Sequence, residues 1–164
     1  LLFSSAGKSI RFRESDVRSV GRTAIGVRGI RLADKDRVVS LIVAESDDPI
    51  LTATEKGYGK RTQLDEYRAQ ARGGSGVISI KTSDRNGQVV GAIQVTDEDE
   101  MMLISDKGTL VRARASDVSI IGRNTQGVTL INIADDESLV SVAKIAETED
   151  DEDDSEEVSG SSEE

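Results

Sequence analysis

Arginine recurs at two fixed positions along the chain, and its chemistry limits what those positions can do. A guanidinium stays charged in proteins and presents five N–H donors, so it suits binding of phosphate or carboxylate oxygens rather than proton transfer. The two columns are Arg11, Arg61 and Arg112, and Arg22, Arg72 and Arg123. Cations that return about every fifty residues indicate a long anionic ligand better than a single small molecule.

Glycine and aliphatic residues return in the same register, which identifies an internal repeat. Segments such as SIRFR and LVRAR alternate apolar and basic residues with the period of a β-strand, and Gly- and Asp-rich turns separate them from further β-rich stretches. Shifts of 50 and 101 residues align, without gaps, the further columns Gly7/Gly57/Gly108, Gly26/Gly76/Gly127, Val27/Val77/Val128, Ile30/Ile80/Ile131, Asp34/Asp84/Asp135 and Val39/Val89/Val140.

A repeat of about fifty residues with four short strands is typical of a propeller blade. We therefore predict an all-β, propeller-like protein built from four-stranded blades. The predicted blades are 1–48, 49–99 and 100–148, and a disordered acidic tail is predicted at 149–164. Because closed propellers have about four to eight blades, we expect these three blades to belong to a larger disc.

The net charge of −10 comes from the acidic tail. Residues 149–164 hold ten acidic side chains and no basic ones, whereas residues 1–31 carry seven basic and two acidic residues. Overall acidity is therefore compatible with a polyanionic partner. The absence of cysteine and histidine excludes Cys/His zinc sites and Ser–His or Cys–His dyads. With no apolar run near 18 residues, no membrane span is expected, and we expect an intracellular part of a longer protein.

Three motifs that could carry chemistry are better explained as structure. AGKS, from Ala6, lacks the first glycine of a phosphate-binding loop and precedes a strand pattern, so a turn is predicted. DEDE, at 97–100, lacks the glycine and the distal glutamate of a calcium loop, and a solvated turn is predicted. Tyr58 and Tyr67 have no identifiable base partner and are predicted to pack. No catalytic site is predicted.

The arginine columns instead predict a double-stranded DNA interface. Equivalent positions of a propeller lie around one rim, where phosphate contacts would supply affinity through counterion release. With four aromatic residues, Phe3, Phe12, Tyr58 and Tyr67, recognition of single strands by base stacking is disfavoured. The predicted DNA-binding residues are Arg11, Arg13, Arg22, Lys60, Arg61, Arg72, Arg112, Arg114 and Arg123.

Long stretches of the chain resemble the C-terminal domain of DNA gyrase A subunits. They include GRTAIGVRGIRL, ILTATEKGYGKRT, RNGQVVGAIQV, GTLVRARASDVSIIGRNTQGV and the acidic tail. The resemblance implies a β-pinwheel, a disc of usually six blades that exchange strands, of which about three are present. It also implies that DNA wraps around a basic rim, so that the A2B2 holoenzyme introduces negative supercoils in the cytoplasm, on the nucleoid. No cofactor is implied for this segment, since ATP and Mg²⁺ act through the B subunit.

The resemblance also identifies a degenerate copy of the seven-residue gyrase box, QARGGSG. Five of its residues match the box, and Ala71 and Ser75 replace its two variable basic residues. The family's complete box and its catalytic tyrosine are expected upstream of Leu1. The matching residues are Gln70, Arg72, Gly73, Gly74 and Gly76.

Two other functions are compatible with the same residues. The related C-terminal domain of topoisomerase IV has fewer or broken blades and wraps DNA weakly. A propeller used as a protein-interaction platform would meet acidic partners with its rim arginines. For the tail, a solubilising end and a segment that competes with DNA for the basic rim are both considered.

Overall fold

In the computed structural model, which describes residues 1–145, the chain is all-β. The first repeat contributes β1 (Leu2–Ser4), β2 (Lys8–Ile10) and β3 (Val38–Leu41). The second contributes β4 (Ile50–Thr54), β5 (Tyr58–Thr62), β6 (Val77–Ile78) and β7 (Val89–Gln94). The third contributes β8 (Glu100–Ser105), β9 (Leu110–Arg114), β10 (Val128–Thr129) and β11 (Leu139–Lys144).

A single 3₁₀ turn follows the second strand of each repeat, at Glu14–Asp16, Leu64–Glu66 and Ala115–Asp117. The second of these lies within TQLDEYRAQ, where the sequence shows no sustained helical period. Within residues 1–145, no helix is long and apolar enough to cross a membrane. The predicted acidic tail, 149–164, lies outside the described residues.

A glycine-containing turn joins the first two strands of every repeat into a hairpin. Gly7, Gly57 and Gly108 occupy equivalent positions in these turns with φ values of 80°, 77° and 87°. Glycine reaches this left-handed region without the steric cost that a Cβ atom imposes. The glycine column therefore fixes the hairpins, and the turn predicted at AGKS is confirmed.

Neighbouring repeats exchange strands. The first sheet has the order β3-β1-β2-β6, and the second has the order β10-β5-β4-β7. In both, the fourth strand comes from the following repeat: β6 pairs with β2, and β10 pairs with β5, antiparallel. The described part of the third sheet is β11-β8-β9. The all-β, propeller-like prediction is confirmed, but each complete sheet contains residues of two repeats.

The same exchange explains a difference in the first repeat. VRGIRL, at 27–32, has the pattern of a strand, yet these residues form none, whereas its counterparts contribute β6 and β10. A strand needs an edge to pair with. Among residues 1–145, the segment 27–32 pairs with no strand, and the strand expected from the pattern is not formed there.

The core is divided between the two junctions at which repeats meet. One cluster, which includes Phe3, Leu64 and Tyr67, joins the first and second repeats. The other, which includes Leu51, Leu103 and Val118, joins the second and third. The last strands of the repeats pack together, since β7 contacts both β3 and β11. We call this the inner end of the sheets, and the end that carries the exchanged strands the outer end.

Candidate nucleic-acid interface

In the first two repeats, the first arginine column reaches forward, from one repeat into the next. Arg11 donates from Nη1 to the carbonyl oxygens of Leu64, at 3.1 Å, and Tyr67, at 3.3 Å. Arg61 donates from Nε to the carbonyl oxygen of Val118, at 2.8 Å, which is the counterpart of Tyr67. Its side chain is 5% exposed and also forms an ion pair with Asp97. These arginines therefore satisfy backbone carbonyls of the neighbouring repeat.

The second column reaches backward. Arg72 donates to the carbonyl oxygens of Asp16, at 3.2 Å, and Arg28, at 2.5 Å, in the first repeat. Arg123 donates from Nη1 to the carbonyl oxygen of Ile78, the counterpart of Arg28, at 2.8 Å. It also lies 3.9 Å from the carboxylate of Glu66, the counterpart of Asp16. Both columns thus connect neighbouring repeats at equivalent residue positions.

Lys60 lies in the junction between the second and third repeats and has no exposed surface. Its Nζ donates to the carbonyl oxygens of Gly122 and Arg123, both at 2.6 Å, and contacts Thr125 Oγ1 at 3.1 Å. Burial lowers the pKa of Lys60 to about 8, with the charge of Arg123 acting in the same direction and that of Glu66 opposing it. This ammonium holds a loop of the third repeat.

These contacts correct the predicted exposed track of arginines. Lys60 and Arg61 are buried, and the guanidinium groups of Arg11, Arg72 and Arg123 are half-buried and bonded to backbone carbonyls. The physical reason is that a repeated residue in a stacked array also meets the same neighbour in every repeat. The columns therefore hold repeats together.

At the two ends of the described chain, the columns differ. Arg22, in the first repeat, is exposed, and Arg112, in the third, is exposed and paired with Glu100. Arg13 and Arg114 are also exposed. Contact of Arg13, Arg22, Arg112 and Arg114 with DNA stays a prediction.

The degenerate gyrase box forms part of the junction between the first and second repeats. The Gly73 N–H donates to the Gly29 carbonyl oxygen at 2.7 Å, and the Gly74 carbonyl accepts from the Arg31 N–H at 2.8 Å. Gly76 has a φ of 70°, and a Cβ there would lie 2.2 Å from the Ser9 carbonyl oxygen. The matching residues, Gln70, Arg72, Gly73, Gly74 and Gly76, therefore lie against the first repeat.

Several other columns remain exposed in every repeat, and three of them carry cations near the outer end. Two flank the 3₁₀ turn that follows the second strand, and one lies just beyond the position of the exchanged strand, so all three are near the outer end. Their basic members form no ion pair within residues 1–145, and we call them the outer cations. The columns are Arg13/Gln63/Arg114, Arg18/Arg68/Ser119 and Arg31/Lys81/Asn132.

Sequence reasoning found Arg13 and Arg114 but missed Arg18, Arg31, Arg68 and Lys81. The sequence did contain a signal for these residues, because their columns carry Gln, Ser or Asn in place of the cation in other repeats. Positions that change between repeats while staying polar are typical of a solvent-facing surface. The outer cations number three in the first repeat, two in the second and one in the third.

The other singled-out motifs have structural roles. Three carboxylates of DEDE meet three cations: Asp97 pairs with Arg61, Asp99 with Lys144, and Glu100 with Arg112. The predicted solvated turn is therefore also an ion-paired one. Hydrogen bonds from Lys144 and Thr96 hold the pKa of Asp99 low, although burial opposes them.

Both tyrosines pack, as predicted. The ring of Tyr67 lies edge-on to Phe3, with centroids 5.8 Å apart, and its hydroxyl contacts Ser79 Oγ at 3.1 Å. Burial raises the pKa of this hydroxyl. Tyr58 is half-buried and lies under the guanidinium of Arg85, 4.8 Å from the ring centroid.

A family model described as the DNA gyrase C-terminal domain, beta-propeller, matches residues 1–45, 48–96 and 99–146. The chain belongs to this family. The resemblance seen in the sequence is thereby confirmed, and the three matched ranges follow the three repeats. Domain boundaries at 48/49 and 99/100 stay a prediction, since strand exchange makes each complete sheet cross them.

The relatives of this gyrase-family domain are longer proteins. The DNA gyrase A subunit of Klebsiella oxytoca is 60% identical over 152 residues, which cover 93% of this chain and 17% of that protein. This chain thus spans less than a fifth of that relative's length.

Two solved structures share its fold. A structure of a DNA gyrase A C-terminal domain matches 88% of this chain and 50% of that chain, with a TM-score of 0.82 and 33% identity. A structure of the C-terminal domain of a DNA topoisomerase IV matches 88% of this chain and 45% of that chain, with a TM-score of 0.81 and 26% identity.

Proposed function

We propose that this gyrase-family domain binds and wraps double-stranded DNA, with the phosphates lying against the outer cations. The observation that supports this is the persistent exposure of these positions: they face solvent in every repeat, including the second, which is packed against a neighbour on both sides. The junction arginines are already bonded to carbonyls and carboxylates, whereas the outer cations are free of ion pairs within residues 1–145. The outer cations are therefore available to phosphate.

The distribution of the outer cations sets where DNA binds most strongly. Three lie in the first repeat, two in the second and one in the third. Each neutralised phosphate contributes about −0.9 to the slope of log K against log salt for B-DNA. Six contacts therefore give a slope of roughly −5. DNA is held most firmly at the first repeat.

Wrapping requires the outer cations to act together. Bending a site of 20–30 base pairs by 40–90° costs on the order of 1–6 kcal/mol. Contacts on successive repeats can offset this cost, because the repeats follow one another around the disc and present the same exposed positions. Such contacts bind the sugar–phosphate backbone and carry little sequence preference.

In the whole protein, this domain works as part of DNA gyrase. It wraps DNA for the rest of the A subunit, while ATP hydrolysis with Mg²⁺ by the B subunit drives strand passage. The A2B2 holoenzyme then introduces negative supercoils into DNA in the bacterial cytoplasm, and the domain itself contributes no catalytic group. This proposal rests on the family shown above and on the outer cations.

A role in topoisomerase IV is the second candidate, because its C-terminal domain shares the fold with a TM-score of 0.81. The identity of 33% to the gyrase A domain structure, against 26% to that of topoisomerase IV, favours gyrase. The full-length protein, reconstituted with ATP and its B subunit, should introduce negative supercoils into relaxed plasmid. Relaxation and decatenation without negative supercoiling would assign it to topoisomerase IV.

Titration of linear duplex DNA at several salt concentrations tests the interface. The triple variant Arg13→Ala, Arg18→Ala, Arg31→Ala removes the outer cations of the first repeat. We expect its salt slope to flatten by about 3, because three phosphate contacts are lost. Binding should weaken to a similar degree on duplexes of unrelated sequence.

The matched control is Lys56→Ala, Lys107→Ala, Lys144→Ala, which removes the same charge. Lys107 and Lys144 already pair with Asp136 and Asp99, and Lys56 donates to the Asp84 carbonyl. Its slope should stay near that of the unaltered chain. Equal flattening by both variants would show a response to net charge only. Weak binding by the unaltered chain even at low salt would favour a platform for acidic proteins.

A further inference from the structure

The two internal junctions differ in how they fill the space beside one position of the hairpin. At the second junction, a Cβ on Gly59 would lie 2.4 Å from Leu130 Cδ1 and 2.4 Å from the Thr52 carbonyl oxygen. Leu130, which directly follows β10, therefore occupies the space that any side chain at position 59 would need. Glycine at this position admits the leucine of the next repeat.

The first junction has the same backbone pairing with different side chains. β6 pairs opposite Ser9 as β10 pairs opposite Gly59. The N–H groups of Ser79 and Leu130, directly after these two exchanged strands, each donate to a glycine carbonyl of the facing hairpin turn at 2.8 Å. Ser79 therefore lies beside Ser9, in the place that a leucine takes at the second junction. Both serines are buried, at 1% and 0% exposed.

A second contact matches Ser79 to its own repeat. The Tyr67 hydroxyl lies 3.1 Å from Ser79 Oγ, and a leucine at position 79 would remove this bond from a buried tyrosine. At the second junction, the counterpart of Tyr67 is Val118, which has no hydroxyl and belongs to the core cluster against which Leu130 packs. The segment after the exchanged strand is therefore polar at the first junction and apolar at the second, as its surroundings require.

The two pairs are not interchangeable. The pair at the first junction is serine with serine, and the pair at the second is leucine with glycine. A leucine beside Ser9 would overlap the Ser9 Cβ, because Leu130 Cδ1 lies 2.4 Å from the equivalent position at the second junction. A serine beside Gly59 would leave unfilled space where the leucine packs. Overlap and cavity both destabilise a packed interface.

We propose that this size-matched pair specifies which repeat exchanges a strand with which other repeat. The exchanged strands themselves have two residues each, Val-Ile and Val-Thr, and identify no partner. Pairing of β10 with β2 would place Leu130 against Ser9. Pairing of β6 with β5, in its own repeat, would place Ser79 beside Gly59. Both errors are thus disfavoured at one pair of positions. Misassembly between similar repeats is a characteristic failure of repeat proteins.

Amide hydrogen exchange of the full-length protein tests the proposal, because it reports each junction separately. The Ile80 N–H bonds across the first junction, and the Ile131 N–H bonds across the second. Ser79→Leu should speed exchange at Ile80 about fivefold or more, since overpacking opens the junction, and should leave Ile131 within about twofold. Ser9→Gly makes room for the leucine. It should slow exchange in the Ser79→Leu protein roughly fivefold or more, relative to its effect in the unaltered protein.

The reciprocal variant is Leu130→Ser. It should speed exchange at Ile131 roughly fivefold or more through the cavity that it leaves, and should not speed exchange at Ile80. Ser116→Leu is the control, because it makes the same substitution at an exposed serine of the third repeat. Ser9→Gly should have the same effect on exchange with or without Ser116→Leu.

Two results would overturn the proposal. One is a Ser79→Leu protein whose exchange at Ile80 matches that of the unaltered protein. The other is a Ser9→Gly effect that is the same with serine or leucine at position 79, since a size-matched pair requires the two effects to be coupled. If the Ser79→Leu protein does not fold, Ser79→Val gives the same comparison with a smaller overlap.

Discussion

The two internal junctions and the two ends of the described chain contain the same residue types in different surroundings. Arg61 is buried in a junction and donates to a carbonyl of the next repeat, whereas Arg112, its counterpart, is exposed and pairs within its own repeat. Tyr67 and Val118 are buried, whereas Val17 is not. The comparison separates what a repeated residue does for the fold from what it offers to a ligand.

This difference shows that the recurrence of a residue at the same position of every repeat does not by itself identify a binding site. In a stacked array, the contacts between neighbours repeat as faithfully as any ligand contact. Burial distinguishes the two: the junction columns lose solvent once a neighbour packs on them, whereas the outer cations stay exposed. The substitutions below therefore compare a junction residue with its counterpart or neighbour outside the junction.

Gly57→Ala, compared with Gly108→Ala, has the largest expected effect. Both glycines have φ near 80°, so alanine costs each about 1–2 kcal/mol for a left-handed backbone. At Gly57, the added Cβ also meets the Ile131 carbonyl oxygen at 2.4 Å, and relieving such overpacking costs roughly 1–3 kcal/mol more. Urea denaturation should show that difference in the free energy of unfolding. Equal losses of unfolding free energy in the two variants would mean that the junction accommodates the added Cβ at Gly57 with no further loss of stability.

Arg61→Ala, compared with Arg112→Ala, should have the next largest effect. Loss of Arg61 leaves the buried Val118 carbonyl without its charged donor and removes packing, which costs about 3 kcal/mol. Loss of Arg112 breaks an exposed ion pair with Glu100 and costs under about 1 kcal/mol. Denaturation in dilute protein measures both. A loss at Arg112 as large as that at Arg61 would contradict the distinction between junction and end.

Lys60 provides a smaller, pH-dependent comparison. Its folded pKa is about 8, below the unfolded value of about 10.4. Between these values, the unfolded chain binds more protons than the folded one, so the contribution of Lys60 to stability rises with pH over this window. Below pH 8, the cost of burying the charge is fully present.

Lys60→Ile is the matched reference, because isoleucine is the residue that the first repeat has at this position, Ile10. The free energy of unfolding of the unaltered chain, minus that of Lys60→Ile, should increase from pH 8 toward pH 10.4. Taking the difference cancels the opposite contribution of Tyr67, whose pKa burial raises. A difference independent of pH would show that Lys60 titrates alike in both states.

The fold could be predicted from the sequence because its signals are local. The eight repeat columns, the alternation in SIRFR and LVRAR, and the glycines of the hairpin turns each specify short strands. Strand exchange was harder to predict from the residue pattern, because the pattern of β6 does not indicate whether it pairs with β5 or with β2 of the preceding repeat. That choice depends on tertiary packing.

The candidate site was predicted only in part. Arg13 and Arg114 are exposed as expected, but the entirely polar segment KRT, at 60–62, gave no sign that Lys60, Arg61 and Thr62 would all be buried. A long cationic side chain is normally placed in solvent by its charge. Here, the carbonyls of the next repeat solvate it instead, and those carbonyls lie 57 or more residues away along the chain.

We propose that the repeated arginines hold neighbouring repeats together, whereas the outer cations bind DNA. Arg68 and Arg72, in the same repeat, represent the two classes. The most direct test is the salt slope of duplex DNA affinity for Arg68→Ala and Arg72→Ala. We expect Arg68→Ala to flatten the slope by about 0.9, and Arg72→Ala to leave it unchanged. A slope that flattens for Arg72→Ala and not for Arg68→Ala would contradict the claim.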